Sequence, residues 1–260
     1  MIQQAMMWAI AASAWAAAPA DFHTKAVAMD GSTEYMANTT DQSIWYTDGK
    51  SFSIWVNPTA AAGQRYLIDV ANWTNNVNRS FLYINATDDT VRFVTYGSDG
   101  STVSRRRTSN AVTEWSINHI VWTYSSNSLD IYLDWVAQST WNENVVVSTS
   151  STDTNRSIIL WSVASGIWGS LFDWAFCRCD IFSTKLDATN VTALYASWVW
   201  YKLDLRNDTW GYDQSANLVH QHALWKNVSP DIWEDFVSSW WINVETNAAW
   251  IDDTNINTFA

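Results

Sequence analysis

Short runs of alternating apolar and polar residues, separated by turn residues, most constrain how this 260-residue chain can fold. In 51–56 and 129–134 every second residue is Phe, Leu, Ile or Val. Successive side chains of a strand point to opposite faces, so this period predicts strands with one core face and one wetter face. Further strands are predicted over 66–70, 81–85, 91–96, 117–124, 158–163 and 175–182. No long amphipathic helix pattern interrupts 25–182, so we predict an all-β, two-sheet antiparallel sandwich.

One short helix and a tail follow the strands. Asp187 is a suitable N-cap, Val191, Leu194 and Tyr195 fall at helical spacing, and Ser197-Trp198 ends the pattern. We predict three regions: an Ala-rich arm or signal-like segment over 1–21, the sandwich over 22–198, and an irregular tail over 199–260. The tail is a candidate strand-pairing or assembly segment, because its strand-like stretch at 201–204 has no sandwich of its own.

The N-terminal region admits two interpretations. Residues 6–18 are mostly apolar and precede a small-residue run, as in a signal peptide, yet no Lys or Arg precedes Lys25. A cleaved secretion signal and an arm that docks on a neighbour both remain open.

The chain has twenty Trp and only eight Gly, which reverses their usual proportions. Asp134-Trp135 falls where a two-residue hairpin turn favours Asp-Gly, because both central residues need a positive φ. Trp198 falls at a helix end, where Gly is usual. A left-handed conformation costs a residue such as Trp about 1–2 kcal/mol.

These positions suggest that the written tryptophans arise from a UGA codon that encodes Gly in the native protein. Trp55, Trp115 and Trp122 are interpreted as genuine aromatic strand positions, and the other seventeen are suspects. The alternative is a Trp-rich protein whose rings stack on sugars or lie at a membrane interface.

Five stretches recur in an order that is typical of one family: 26–31 with Tyr35, 51–58, 117–124, 129–136, and 172–182 followed by the helix. Together they resemble the LamG-like jelly roll of the concanavalin A-like lectin/glucanase superfamily, over 22–198. The resemblance implies adhesion or glycan recognition, and it extends to decoration and appendage proteins of tailed phages. It also implies Gly at four positions where this chain carries Trp, namely Trp135, Trp161, Trp174 and Trp198.

Charge argues against nucleic acid as a partner. The formal net charge is −12, and the basic residues are scattered except for Arg105, Arg106 and Arg107, so no basic face for a phosphate backbone is expected. Alternation sends Arg106 to the face opposite its two neighbours. We interpret the three as a solvated strand edge, with attraction to acidic polysaccharide as the alternative. No apolar stretch of about 18 residues follows the N-terminal segment, so no membrane span is expected.

No catalytic, cofactor or metal site is predicted. The chain has five Glu, none in the Glu-x-Asp-x-x-Glu arrangement of the glucanases that resemble this fold. Asp130 and Asp134 are expected on a wet strand face, and His119 is expected to be a hydrogen-bonded structural imidazole. The remaining metal-ligand types are interpreted as structural thiols (Cys177, Cys179), as a His pair without a third ligand (His220, His222) and as solvated loop acids (Asp88, Asp89, Asp99, Asp252, Asp253). Loop calcium is the weaker alternative.

The sequence therefore predicts a non-enzymatic structural or binding protein on an extracellular surface. A virion decoration or appendage protein comes first, assembled with other virion subunits as an oligomer and with glycan binding as an additional role. This preference rests on the missing positive n-region, the absence of an anchor or repeat linker, and a codon reassignment that would suit a phage of a recoded bacterium. The alternatives are a secreted bacterial carbohydrate-binding or adhesion module and a glycoside hydrolase. Trp73, Tyr96 and Asp99 are loop or strand-end candidates for glycan contact, but no glycan site is assigned.

Overall fold

The computed structural model describes thirteen stretches of the chain: 26–30, 35–38, 49–59, 63–72, 75–125, 128–138, 141–143, 157–160, 173–195, 205–208, 211–223, 243–245 and 249–251. The predicted N-terminal arm, the predicted strand-like stretch at 201–204 and most of the tail beyond Ala223 lie outside these stretches. No helix in the described stretches is long and apolar enough to cross a membrane.

Strands dominate these stretches and confirm the predicted all-β fold. They are β1 (Ala26–Asp30), β2 (Tyr35–Asn38), β3 (Lys50–Pro58), β4 (Arg65–Asn72), β5 (Asn75–Ile84), β6 (Thr90–Tyr96), β7 (Val103–Ala111), β8 (Asn118–Ser125), β9 (Ser128–Leu133), β10 (Val136–Ala137), β11 (Trp141–Glu143), β12 (Ser157–Leu160), β13 (Asp173–Phe182), β14 (Leu218–Ala223), β15 (Asn243–Glu245) and β16 (Ala249–Ile251). One α-helix, α1 (Ala188–Tyr195), lies between β13 and β14.

The strands form two antiparallel sheets. Sheet A has the order β10-β9-β8-β3-β13-β1-β16, with β14 also paired to β13. Sheet B has the order β11-β7-β6-β5-β4-β12-β2-β15. Most neighbouring strands in each sheet are distant in the chain, as in sandwiches whose connections cross between sheets.

The main core lies between the two sheets and is built from the alternating apolar residues of their facing strands. Phe93 of sheet B packs on Trp122 of sheet A with ring centroids 4.0 Å apart, and Phe52 lies 4.9 Å from the same indole. Ile54 and Leu82, from opposite sheets, are both fully buried here. Burying such side chains stabilises the fold by about 1.5–3 kcal/mol each.

A second cluster, which we call the outer cluster, covers the far face of sheet A. Val121, Tyr132 and Phe182 of the sheet cluster with apolar residues of α1, of the segment just before it and of the tail, namely Leu186, Val191, Leu194, Leu205, Tyr212 and Leu218. Strand β3 is consequently buried along its whole length. The expectation that its second face is wetter was wrong, because periodicity within one strand does not show what a distant segment covers.

Helix α1 begins where the sequence predicts. The backbone N–H of Asn190 donates to Asp187 Oδ1 at 2.8 Å, so Asp187 caps the first turn. This hydrogen bond holds the pKa of Asp187 below its ordinary value. The residues expected to end the helix, Ser197-Trp198, lie outside the described stretches.

The tail contributes β14 and β16 to sheet A and β15 to sheet B. A short 3₁₀ turn, Ser215–Asn217, leads into β14, which pairs antiparallel with the C-terminal half of β13. Tyr212 donates its hydroxyl hydrogen to the Leu205 carbonyl oxygen at 3.0 Å within the outer cluster. The described tail residues 205–208 and 211–223 are therefore part of the sandwich.

Candidate functional site

The outer face of sheet B carries a group of aromatic side chains positioned by a β-bulge. The register between β4 and β5 shifts between Tyr66 and Ile68, and both Leu67 and Ile68 pack in the main core. Because the bulge absorbs one residue, Tyr66 and Asp69 both occupy the outer face, opposite Tyr83 and Phe81 respectively.

Four half-buried rings form a continuous surface on this face. Tyr66 lies 5.4 Å from Tyr83 and 5.6 Å from Phe81, measured between ring centroids. Phe81 lies 5.7 Å from Tyr83 and 6.3 Å from Tyr96. These separations are those of interacting aromatic pairs. Burial raises the pKa of Tyr66, so its phenol is neutral at physiological pH.

A buried ion pair supports the rings. Arg79 donates to both carboxylate oxygens of Asp69, at 3.0 and 2.7 Å, and both side chains are almost fully buried. The Arg79 guanidinium lies 4.9 Å from the centroid of Phe81. A two-pronged Arg–carboxylate contact is geometrically restrictive, so it fixes one side of the ring group.

On β6 and β7, the outer face of sheet B carries arginines. Arg92 lies opposite Tyr83, Arg107 lies opposite Arg92, and Arg105 lies opposite Val94 in the strand register. Arg92 and Arg107 both contact the Asp88 carboxylate, at 2.8 and 3.5 Å. Burial alone would raise the pKa of Asp88, but hydrogen bonds from Thr90 and Arg92 hold it below its ordinary value.

Together these residues line a cavity of about 370 Å³. We call this surface the ring–arginine face and define it by Tyr66, Phe81, Tyr83, Tyr96, Arg92, Arg105 and Arg107. No Asp or Glu is among the described residues that line the cavity. The face thus offers flat apolar rings beside guanidinium donors, which suits a ligand with a nonpolar ring face and hydrogen-bond acceptors.

The arginine run divides between two faces, as the alternation predicts. Arg106 also borders the cavity, but its guanidinium is directed away from the ring–arginine face and donates to Asp130 of β9 at 3.1 Å. Lys185 contacts the same carboxylate, so Asp130 bridges elements rather than standing alone on a wet face. The interpretation of the run as a solvated strand edge was wrong, because β11 pairs with β7 along Arg105, Arg106 and Arg107.

His119 is a buried structural imidazole. Its Nε2 lies 2.9 Å from Ser53 Oγ, and its ring stacks on Trp55 at 4.2 Å. Burial, with a smaller contribution from the Arg178 guanidinium, lowers the pKa of His119 to about 3. A neutral imidazole under α1 has the structural role that the sequence predicts.

Acidic loop residues are engaged by neighbouring protein groups. Asp99 accepts hydrogen bonds from the backbone N–H groups of Ser101 and Thr102, and Asp89 contacts the buried guanidinium of Arg65. No group of three or more His, Cys, Asp or Glu able to hold a metal occurs among the described residues. Asp252 and Asp253 lie outside them.

The two cysteines lie in strand β13, and the two tail histidines lie in β14, which pairs with it. Cys179 is a free thiol buried in the main core. Cys177 falls at the register shift between Phe176 and Arg178. His220 is buried opposite Ile181, and His222 lies opposite Cys179 in the register.

The backbone separates the tryptophans into two kinds. Asp134 and Trp135 have φ of 49° and 60°, which confirms that this hairpin turn needs a positive φ at both positions. Trp115 also has a φ of 59° and is 57% exposed in a turn. Its expected place in a strand was therefore wrong. Trp55 and Trp122 lie in strands and are buried, as expected.

Of the other tryptophans discussed above, one lies in a described strand and three lie outside the described stretches. Trp174 lies in β13, opposite Pro58, whereas Trp73, Trp161 and Trp198 lie outside the described stretches. Of the two described candidates for glycan contact, Tyr96 lines the ring–arginine face and Asp99 is not among the lining residues. Tyr66, Phe81 and Tyr83 were missed as site residues, although Phe81 and Tyr83 were visible as one face of a predicted strand.

Solved structures with the same fold include glycan-binding proteins. A SAP-like heptameric pentraxin from Limulus polyphemus aligns with a TM-score of 0.54 at 10% identity, covering 77% of this chain and 93% of the pentraxin. The CBM40 module of a Ruminococcus gnavus IT-sialidase, solved with α2,3-sialyllactose, aligns with a TM-score of 0.52 at 13% identity, covering 68% and 99%. A Bacteroides ovatus protein assigned as carbohydrate-binding aligns with a TM-score of 0.61 at 11% identity, covering 89% and 60%.

These similarities confirm the sandwich fold. No protein-family model matches the chain, and no curated protein matches it. The chain is therefore similar to these proteins in fold.

Proposed function

We propose that this protein is an extracellular glycan-binding module whose ligand lies on the ring–arginine face. The observation that carries the proposal is the continuous group of four half-buried rings beside arginines at one cavity. Pyranose rings present apolar C–H faces that stack on aromatic side chains, while their hydroxyls accept hydrogen bonds from guanidinium groups. The carbohydrate-binding proteins among the fold neighbours support the same function.

We propose binding without catalysis. Glycoside hydrolysis ordinarily needs two carboxyl groups about 5–10 Å apart across the scissile bond. The described lining of the cavity supplies arginines and aromatic rings instead. Incubation of the protein with each bound oligosaccharide should leave its length unchanged, and the release of shorter products would overturn this part of the proposal.

A glycan array tests the binding function. The wild-type protein should bind a subset of glycans, and Phe81→Ala or Tyr83→Ala should weaken that binding about tenfold, since each removes a stacking surface. Val136→Ala is the control, because Val136 is an exposed apolar residue of β10 in sheet A, whereas the ring–arginine face lies on sheet B. Equal losses in the ring variants and the control, or no binding to any glycan, would contradict the proposal.

For the biological setting, we propose display on a virion surface, with a secreted bacterial adhesion or carbohydrate-binding protein as the alternative. The LamG-like sequence stretches support a surface role in either setting. The heptameric state of the pentraxin neighbour supports the proposal that this chain also acts in an oligomer, which would strengthen weak glycan contacts through multivalency. Mass spectrometry of purified virions and of secreted protein separates the two settings.

A further inference from the structure

We propose that the glycan bound at the ring–arginine face is acidic and carries a carboxylate. This inference rests on the proposed function and narrows it to one class of ligand. It starts from the division of the face into an aromatic half on β4 and β5 and a cationic half on β6 and β7.

The cationic half has an excess of positive charge where the chain as a whole is acidic. Arg92 and Arg107 share this face with the Asp88 carboxylate, and Glu143 lies opposite Arg105 in the register of β7 and β11. Three arginines and two acidic residues leave one formal positive charge in excess at this half of the face. The formal net charge of the chain is −12. On an acidic protein, a local positive field attracts anionic ligands to this face, while the acidic remainder of the surface repels them.

Geometry favours a carboxylate on a sugar ring. Tyr83 lies directly opposite Arg92, and Phe81 lies in the row that continues through Val94 to Arg105. Adjacent strands are about 4.8 Å apart, so a pyranose stacked on Phe81 or Tyr83 brings a substituent of its ring within reach of the arginines. The planar guanidinium matches a carboxylate with two parallel hydrogen bonds.

The test compares glycans that differ only in the acidic group. Uronate-containing or sialylated oligosaccharides from the array are titrated beside their carboxyl-reduced counterparts, in which the carboxylate has become a hydroxymethyl group. We expect reduction to weaken binding at least tenfold, as the loss of a charge-assisted hydrogen bond requires. The same loss should follow from Arg105→Gln, with partial recovery in Arg105→Lys.

Arg206→Gln is the matched control, because Arg206 is an exposed residue beside Leu205 of the outer cluster and its loss changes the net charge equally. A tenfold effect in Arg105→Gln and none in Arg206→Gln supports the proposal. Equal binding of acidic and reduced glycans would overturn it while leaving the glycan-binding function intact. An equal loss in both arginine variants would also overturn it, and an absence of glycan binding would remove the proposed function itself.

A separate observation concerns the chemical identity of two residues, and from it we infer that the native protein carries glycine at positions 115 and 135. Both written tryptophans adopt φ near +60° in turns and expose their rings, 57% and 45% respectively. Such a conformation disfavours residues with a side chain and is ordinary for glycine. Trp55 and Trp122 have neither property, since both are buried in strands.

Peptide sequencing of the natively produced protein by tandem mass spectrometry decides this inference. Trypsin cleaves after Arg107 and next after Arg156, so one peptide carries positions 115, 122 and 135. We expect glycine at 115 and 135 and tryptophan at 122, which serves as an internal control. Tryptophan at all three positions would overturn the inference.

Discussion

At the residue scale, the rings that form the proposed binding surface are Tyr and Phe. Tyr66, Phe81, Tyr83 and Tyr96 supply it without any tryptophan. A native protein with glycine at many written Trp positions would therefore keep this surface unchanged. The two proposals are independent, because one concerns the outer face of sheet B and the other concerns turns.

The environment of His119 leads to a prediction about pH. The pKa of His119 is lowered to about 3 in the folded protein, against 6.5 for an ordinary histidine. Between these values the unfolded chain binds a proton that the folded chain does not, so this group favours unfolding as the pH falls below 6.5. We expect the free energy of unfolding to fall by up to about 1.4 kcal/mol per pH unit through this residue.

Denaturant titrations at pH 7.0, 6.0 and 5.0 measure this dependence. His119→Gln should reduce the slope, because glutamine does not titrate and its amide can still pair with Ser53. His220→Gln is the comparison, as His220 is also buried but belongs to β14. An unchanged slope in His119→Gln would show that other groups cause the pH dependence.

The positions of some of these residues could be predicted from the sequence, and those of others could not. The separation of Arg106 from Arg105 and Arg107 follows from the two-residue period of a strand and is confirmed. Tyr66 lies beside Tyr83 on the outer face because of the bulge at Leu67. The sequence does not predict this bulge, since no turn residue or break in the apolar pattern marks it. Trp115 was misinterpreted because an aromatic residue near a strand looks the same in a turn.

At the element scale, strand β13 joins three parts of the molecule. It pairs with β3 along most of its length, with β1 at its N-terminal end and with β14 at its C-terminal end. The alternation in the sequence predicts β13 itself. Its pairing with a strand of the tail cannot be predicted from periodicity, because pairing between distant segments depends on the tertiary arrangement.

The role of the tail can be tested by deletion. Removing residues 199–260 takes away β14, β15 and β16, and also Leu205, Tyr212 and Leu218 of the outer cluster. Three buried side chains contribute several kcal/mol by area, at about 1.5–3 kcal/mol each, which is comparable with the stability of a whole domain. We expect the shortened chain to be insoluble or unfolded.

A point substitution gives a graded version of this test. Leu218→Ala should lower the free energy of unfolding by about 2–5 kcal/mol, as a buried Leu truncation does. Val136→Ala is the control, because Val136 is 48% exposed. A stable, monomeric truncated chain with an unchanged unfolding midpoint would contradict the assigned role of the tail.

At the scale of the whole molecule, the two sheets differ in what covers them. Helix α1 and the tail cover the outer face of sheet A through the outer cluster. The outer face of sheet B carries the ring–arginine face, where the aromatic side chains remain half-exposed and Arg105 is exposed. This asymmetry gives the sandwich a structural side and a side that is available to a ligand.

The measurement that tests this account most directly is the position of the bound oligosaccharide in a crystal structure of the complex. The tightest acidic glycan from the array is the ligand to use. We predict a sugar ring in contact with Phe81 or Tyr83 and a carboxylate hydrogen-bonded to Arg92, Arg105 or Arg107. A glycan seated on the loops or against sheet A, with the ring–arginine face empty, would contradict the account.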